Sequence, residues 1–173
     1  MKSNKFIISI RSLLLLVCLS SIIAISCRNP IDDHSLSNLN VINVKIGDTT
    51  IVAEVAFTSE ERSTGLSGRK HLSERRGMLF YYSDSRPKGF WMKDMLFDID
   101  ILWIGEDCTV IKIDNKVPSP SSSTAELKIY QAPKLSRSVL ELSAGQAELL
   151  GLKIGDKVAY QISTINKYSG CAE

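Results

Sequence analysis

The chain has only two histidines, His34 and His71, and no Cys-x-x-Cys spacing among its four cysteines. That leaves too few nitrogen and sulfur donors for a structural zinc site, which takes four. Serine is abundant, but none sits in Gly-x-Ser-x-Gly, and His71 is the one histidine past the N-terminal segments. A histidine-dependent triad therefore has little to stand on. The stretch Gly145 to Gly151 lacks a phosphate-loop pattern, and no internal repeat is visible. Neither sign of charge dominates. The formal charge is +2, but Lys2, Lys5 and Arg11 fall within the first 27 residues, which hold no acid. Without them 18 basic residues face 19 acidic ones, so nothing points to nucleic acid.

What is present at the N-terminus reads as an export signal. The three cations form the positive region, and Leu13 to Ile25 is apolar apart from Ser20 and Ser21. Ala24-Ile25-Ser26-Cys27 then resembles a bacterial lipobox with a relaxed first position, which makes Cys27 the expected lipidation site. An uncleaved anchor over Phe6 to Ile25 and plain secretion are the alternatives, and Arg11 weakens a span. All three readings put the folded part outside the cytoplasm. The expected partner is thus a membrane, reached through an N-terminal lipid, in the periplasm or at the cell surface. Cys18 leaves with the signal, so Cys108 and Cys171 remain as an exported pair that can form a disulfide. Cys108 lies in an expected turn and Cys171 in an expected frayed tail, which argues against pairing.

The chain then divides into a signal over 1–27, a polar tether over 28–40, a β domain over 41–163 and a disordered tail over 164–173. Val41 to Ile46 and Thr50 to Phe57 flank Gly47-Asp48 as a hairpin. Thr58 with Glu61 is a capping box, and it predicts a helix over Ser59 to Thr64 ended by Gly65. Gly77 to Tyr82 is a short buried strand, followed by a turn over Ser83 to Pro87. In Phe97 to Ile104 the alternation puts Phe97, Ile99, Ile101 and Trp103 on one face, with Asp98, Asp100, Leu102 and Ile104 on the other. After a turn at Gly105 to Asp107, Thr109 to Val117 is the partner strand, with Ile111 and Ile113 sharing a face. Pro118 to Ser123 is a loop, Val139 to Leu142 a strand, Ala144 to Leu150 a short helix before Gly151, and Lys157 to Ile162 a last strand. The expected fold is mainly β: a single compact antiparallel sandwich or barrel-like domain with one or two short helices.

The ordered set Glu54-Val55-Ala56, Arg62-Ser63-Thr64-Gly65-Leu66, Arg69, Leu72, Gly77-Met78-Leu79-Phe80, Phe90-Trp91-Met92-Lys93, Asp98-Ile99-Asp100, Val139-Leu140-Glu141-Leu142, Gly145 and Gly155-Asp156 resembles the DUF192 family, also called UPF0127. The resemblance spans Val41 to Ile162. It implies one compact, mostly β domain, often exported or lipid-anchored, and no established activity. Two positions depart from the family pattern. Trp-Met-Lys-Asn-Thr is usual where this chain has Trp91-Met92-Lys93-Asp94-Met95, and Ser67 stands where methionine is usual.

Both tryptophans lie in the stretch from Pro87 to Ile104, beside a lysine and aspartates. Arg62, Arg69, Arg75 and Arg76 lie in the helix and the loop after it, and guanidinium groups grip carboxylate or phosphate. The expected ligand-binding set is Arg62, Arg69, Trp91, Met92, Lys93 and Asp100, for a small anionic ligand or a protein partner, with no cofactor. A carboxylate- or metal-dependent hydrolase using Asp98, Asp100 or Glu141 is the alternative. The two aspartates would stand about 7 Å apart on one strand face. The ordinary reading of that pair has Asp98 solvated and Asp100 paired with Lys93 or an arginine. A purely structural envelope protein is the third reading.

Overall fold

The computed structural model describes residues 41–86, 89–122, 126–133, 135–161 and Cys171. The expected signal, tether and most of the expected disordered tail lie outside the described residues. Among those described, no helix is long and apolar enough to cross a membrane.

The fold is mostly β. The hairpin is present as β1 (Val41–Ile46) and β2 (Thr49–Ala56), paired antiparallel with Ile46 opposite Thr49. Gly47 makes the turn at positive φ, where a side chain would be strained. Helix α1 (Ser59–Thr64) starts on the predicted capping box: Thr58 Oγ1 accepts from Glu61 N at 3.1 Å, and Glu61 Oε2 accepts from Thr58 N at 2.7 Å. Phe57 N donates to the same oxygen at 2.8 Å, and the Thr58 and Phe57 backbone donors, Thr58 first, hold the Glu61 carboxyl below its ordinary range.

The stretch after α1 returns the chain to β3 (Arg76–Arg86), which pairs with β2 in parallel. Parallel partners need a long crossover, and 57–75 supplies it. β3 runs through the segment expected to turn, since its pairing with β8 resumes at Arg86↔Ser136 after a bulge. β4 (Gly89–Phe90) follows. β5 (Ile99–Gly105) and β6 (Val110–Val117) form the second hairpin, β7 (Tyr130–Gln131) pairs with β4, and β8 (Ser136–Ser143) enters the main sheet. A short helix α2 (Gln146–Leu149) and β9 (Val158–Gln161) complete the described fold.

The main sheet has seven strands in the order β6-β5-β8-β3-β2-β1-β9, antiparallel except for β2 and β3. It is not closed into a barrel. Its two edges meet at one isolated bridge, Thr109↔Lys157, beside a disulfide between Cys108 and Cys171. Cys171, expected to fray, is buried, and its carbonyl accepts from Tyr160 N at 2.7 Å.

Both faces of the sheet are covered, so every residue of β5 is buried. Val44, Ile51, Leu79, Leu102, Ile104, Leu140 and Leu142 pack on one face. Phe80, Ile99, Ile101, Trp103 and Val139 pack on the other, under Leu66, Met92 and Met95. Each such aliphatic or aromatic group withdraws enough apolar surface to stabilise the fold by roughly 1.5–3 kcal/mol. The predicted faces of β5 are those observed. Those of β6 are not. The β5–β6 register shifts between Trp103 and Ile104, and this sends Ile111 to the second face and Ile113 to the first. An extra residue in one strand reverses the side-chain alternation beyond it.

Candidate functional site

On the second face the sheet is not fully filled. A cavity of about 80 Å³ lies between the end of α1 and the loop after β4, lined among others by Arg62, Gly65, Phe80, Trp91, Met95 and Glu141. One water needs roughly 10–15 Å³ of such space, and drug-sized ligands occupy several hundred. The volume suits several waters or a ligand group of a few heavy atoms.

Each wall has a local cause. Gly65 ends α1 at φ +50°, and a Cβ there would approach the Phe80 ring to 3.1 Å, so glycine permits both the helix exit and the close approach. The loop after β4 is tied to the post-helix segment by Ser67 Oγ donating to the Lys93 carbonyl at 2.9 Å and Gly68 N donating to that of Asp94 at 2.8 Å. Asp94 adopts φ +56°. Asparagine tolerates that region best among residues with a side chain, and aspartate is next of kin. The Asn expected from the resemblance therefore has a backbone reason. Phe90 meets Phe80 and Trp103 edge-on, at centroid distances of 4.9 and 5.4 Å, which fixes the neighbouring Trp91 at the mouth. Trp91 is 59 % exposed, unlike the fully buried Trp103, whose indole N–H donates to Asp114 at 2.7 Å.

Arg62 stands on the rim. Its guanidinium donates to the carbonyls of Phe57 and Tyr81 and to Ser59 Oγ, and it lies 4.8 Å over the Tyr82 ring. None of these hydrogen-bond partners is a carboxylate; the nearby Glu61 carboxyl feels the Arg62 charge without a direct bond to it among the described residues.

Glu141 lines the same cavity from the sheet. β8 places it between Met78 of β3 and Ile101 of β5, on the face it shares with Val139. It is 5 % exposed, and no hydrogen bond or ion pair within the described structure holds its side chain. Burial alone pushes its carboxyl up to about 8. The group is therefore a neutral acid at pH 7, with a proton to donate.

The other expected ligand residues do not join this cavity. Arg69 forms a bidentate pair with Glu54, both contacts 2.7 Å, and that bonding holds its guanidinium above its ordinary range. Met92 is buried in the second-face core, and Lys93 is exposed without lining the cavity. Asp100 faces the other side of the sheet and is fully buried. It is not paired with Lys93 or an arginine. Its Oδ1 accepts from Lys116 N at 2.8 Å and Gly145 N at 3.0 Å, and its Oδ2 from Ala147 N at 2.8 Å. It pins the start of α2 to the β5–β6 hairpin. Asp98 precedes β5 and accepts from Ser119 N at 2.8 Å and Ser119 Oγ at 3.0 Å. The proposed aspartate pair is thus spent on two separate loops. Replacing Asp100 by Asn turns one acceptor into a donor against a buried N–H. Urea titration of Asp100→Asn is expected to show a loss of roughly 2–4 kcal/mol.

The sequence offered Glu141 only as a hydrolase carboxylate, and it did not connect Phe80, Tyr82 or the turn after α1 with Trp91. One signal was there: an acid inside the apolar run Val139 to Leu142, at a position whose face is otherwise apolar.

The family pattern of DUF192, described as "Uncharacterized ACR, COG1430", matches residues 42–160. A crystal structure of a protein of unknown function from Novosphingobium aromaticivorans DSM 12444 is similar at 30 % identity and a TM-score of 0.65, covering 72 % of this chain and 89 % of that one. A putative transcription regulator from Sinorhizobium meliloti 1021 is similar at 28 % identity and a TM-score of 0.62, covering 69 % of this chain and 93 % of the other. No functionally curated protein matches. With two thirds of its length on the family pattern, from β1 through β9 and around the cavity, the chain belongs to the DUF192 family.

Proposed function

We propose that this protein is a lipid-anchored, extracytoplasmic binding module that takes a small anionic ligand in the cavity between α1 and Trp91. The observation that carries the reading is the convergence of Arg62 and Trp91 on one concavity. The arginine brings a positive charge to the rim, with carbonyls, a hydroxyl and a ring as its direct partners and Glu61 as a carboxylate neighbour, and the exposed indole offers an apolar contact that the fold does not need. The outer compartment is supported by the N-terminal signal pattern and by the Cys108–Cys171 disulfide, since such bonds persist where thiols are not kept reduced. The hydrolase reading has less support, because Asp98 and Asp100 are occupied by backbone and serine donors.

Thermal-shift measurements against small carboxylates, phosphate, acidic sugars and neutral sugars test the proposal. Stabilisation is expected to rise with concentration for anions alone. Trp91→Ala is expected to keep the unliganded melting temperature and to weaken binding about tenfold, the equivalent of about 1.4 kcal/mol. No stabilisation by any anion would leave the domain with a structural or protein-docking role instead.

A further inference from the structure

The cavity holds a second polar feature that the anion reading leaves unused. We infer that Glu141 is a ligand-recognition residue: as a neutral carboxylic acid it donates its O–H to an oxygen of a small monocarboxylate, so that ligand binding requires the proton. This rests on the proposed anion site and names its substrate class.

Glu141 is 5 % exposed, lines the cavity, and has no protein partner among the described residues. Its carboxyl oxygens are not among the enclosed unpartnered side-chain atoms of the described residues, which are Ser136 Oγ and Arg137 Nε, so they open onto the cavity and not into packed side chains. From β3 and β5 its neighbours across the strands are Met78 and Ile101, neither of which can accept a hydrogen bond of any strength. The segment after α1 and the loop after β4 bring Leu66 and Met95. The ionisable groups that line the same space are Arg62 and Tyr82, and neither contributes to the displacement of the Glu141 carboxyl, whose single cause is burial. What enters the cavity is the partner available to that O–H.

An ionised glutamate would repel an anion. A protonated one accepts it, sharing one proton between two carboxyl groups. The small volume and the aromatic walls of Phe80, Phe90 and Trp91 suit a carboxylate carrying a short apolar tail. A primary amine would instead make Glu141 ionise and pair with it. The two ligand chemistries therefore differ in the sign of their pH dependence. Carboxylate binding is flat below the carboxyl's midpoint of about 8 and weakens tenfold per unit above it, whereas amine binding tightens as the carboxyl ionises.

Isothermal titration of the intact chain with propionate and benzoate, and with butylamine as the cationic arm, tests this at pH 6 and pH 9.5. Carboxylate affinity is expected to fall about thirtyfold between the two pH values in the parent chain. In Glu141→Gln, whose amide N–H can also donate, binding is expected to persist and to lose that pH dependence. A second readout needs no variant: repeating the parent titration at pH 9 in buffers of different ionisation enthalpy is expected to show uptake of close to one proton per ligand. Carboxylate binding that ignores pH and takes up no proton overturns the role of Glu141 and leaves the anion site standing. Tighter butylamine binding at high pH overturns it in favour of a cation. Absence of carboxylate binding under every condition removes the role of Glu141, and it removes the anion site as well only if phosphate and acidic sugars also fail to stabilise the protein.

Discussion

Glu141→Gln is expected to raise the melting temperature by roughly 10 °C at pH 7 and to abolish most of the decline in stability between pH 4.5 and 8. β8 runs between β3 and β5 in the middle of the sheet, and Glu141 occupies the face otherwise held by Val139, Phe80, Ile101 and Trp103. Burial raises its carboxyl from an ordinary 4.5 to about 8. Across that interval the folded chain keeps a proton that the unfolded chain releases. The folded state thus binds more protons, and stability falls as pH rises. The slope is about 1.4 kcal/mol per pH unit, so roughly 3 kcal/mol is lost between pH 4.5 and 7. Above about 8 both states are ionised and the loss levels off. Glutamine has nearly the same shape and no proton to lose. Melting curves of both proteins from pH 4 to 9 should converge near pH 4, separate up to about pH 8 and run parallel beyond it. Curves parallel throughout would mean that the carboxyl titrates normally. A residue that lowers stability in this way, inside a cavity, is what a binding site looks like when it is not selected for rigidity.

The second large effect concerns the open edges of the sheet. The Cys108–Cys171 disulfide joins residues 63 apart in sequence, at a Cα separation of 5.6 Å. Closing a loop of that length restricts the unfolded chain by an amount equivalent to about 4 kcal/mol. Cys108 follows β5 in the turn before β6, and Cys171 lies beside β9 through its bond from Tyr160 N. The bridge therefore ties together the first and last strands of an order in which backbone pairing supplies one isolated bridge. Replacing both cysteines by serine is expected to lower the melting temperature by roughly 10–15 °C. Dithiothreitol should do the same to the parent chain and nothing to the double variant. Cys108→Ser alone should match the double variant, since half a bridge constrains nothing. An unchanged melting temperature on reduction would show that the tail contributes nothing to the closure.

The parts of this fold that were legible in the sequence are the local ones. The Gly47 turn, the Thr58–Glu61 capping box and the alternation through β5 each depend on residues within a few positions of one another, and all are seen as expected. What could not be read depends on distant segments. The parallel pairing of β2 with β3 is set by how the 57–75 crossover lies, not by any periodicity in either strand. The bulge that separates Ile111 from Ile113 leaves no mark in composition. Arg69 looked available until Glu54 was found across the sheet surface from it, and Asp100 looked like half of a carboxylate pair until three backbone N–H groups surrounded it. Arg62 and Trp91 were legible as candidates because aromatic and cationic residues in glycine-rich surroundings are unusual core material. Their convergence with Glu141, from three elements spread over 80 positions, was a matter of topology.

The central claim is that Glu141 is a neutral acid in an accessible cavity. It is tested most directly by following the side-chain carboxyl resonance of Glu141 in carbon-labelled protein from pH 4 to 10, with Glu141→Gln identifying the signal. A midpoint near 8, moving upward when a carboxylate ligand is added, is the predicted result. A midpoint near 4.5 that ignores every ligand would contradict it.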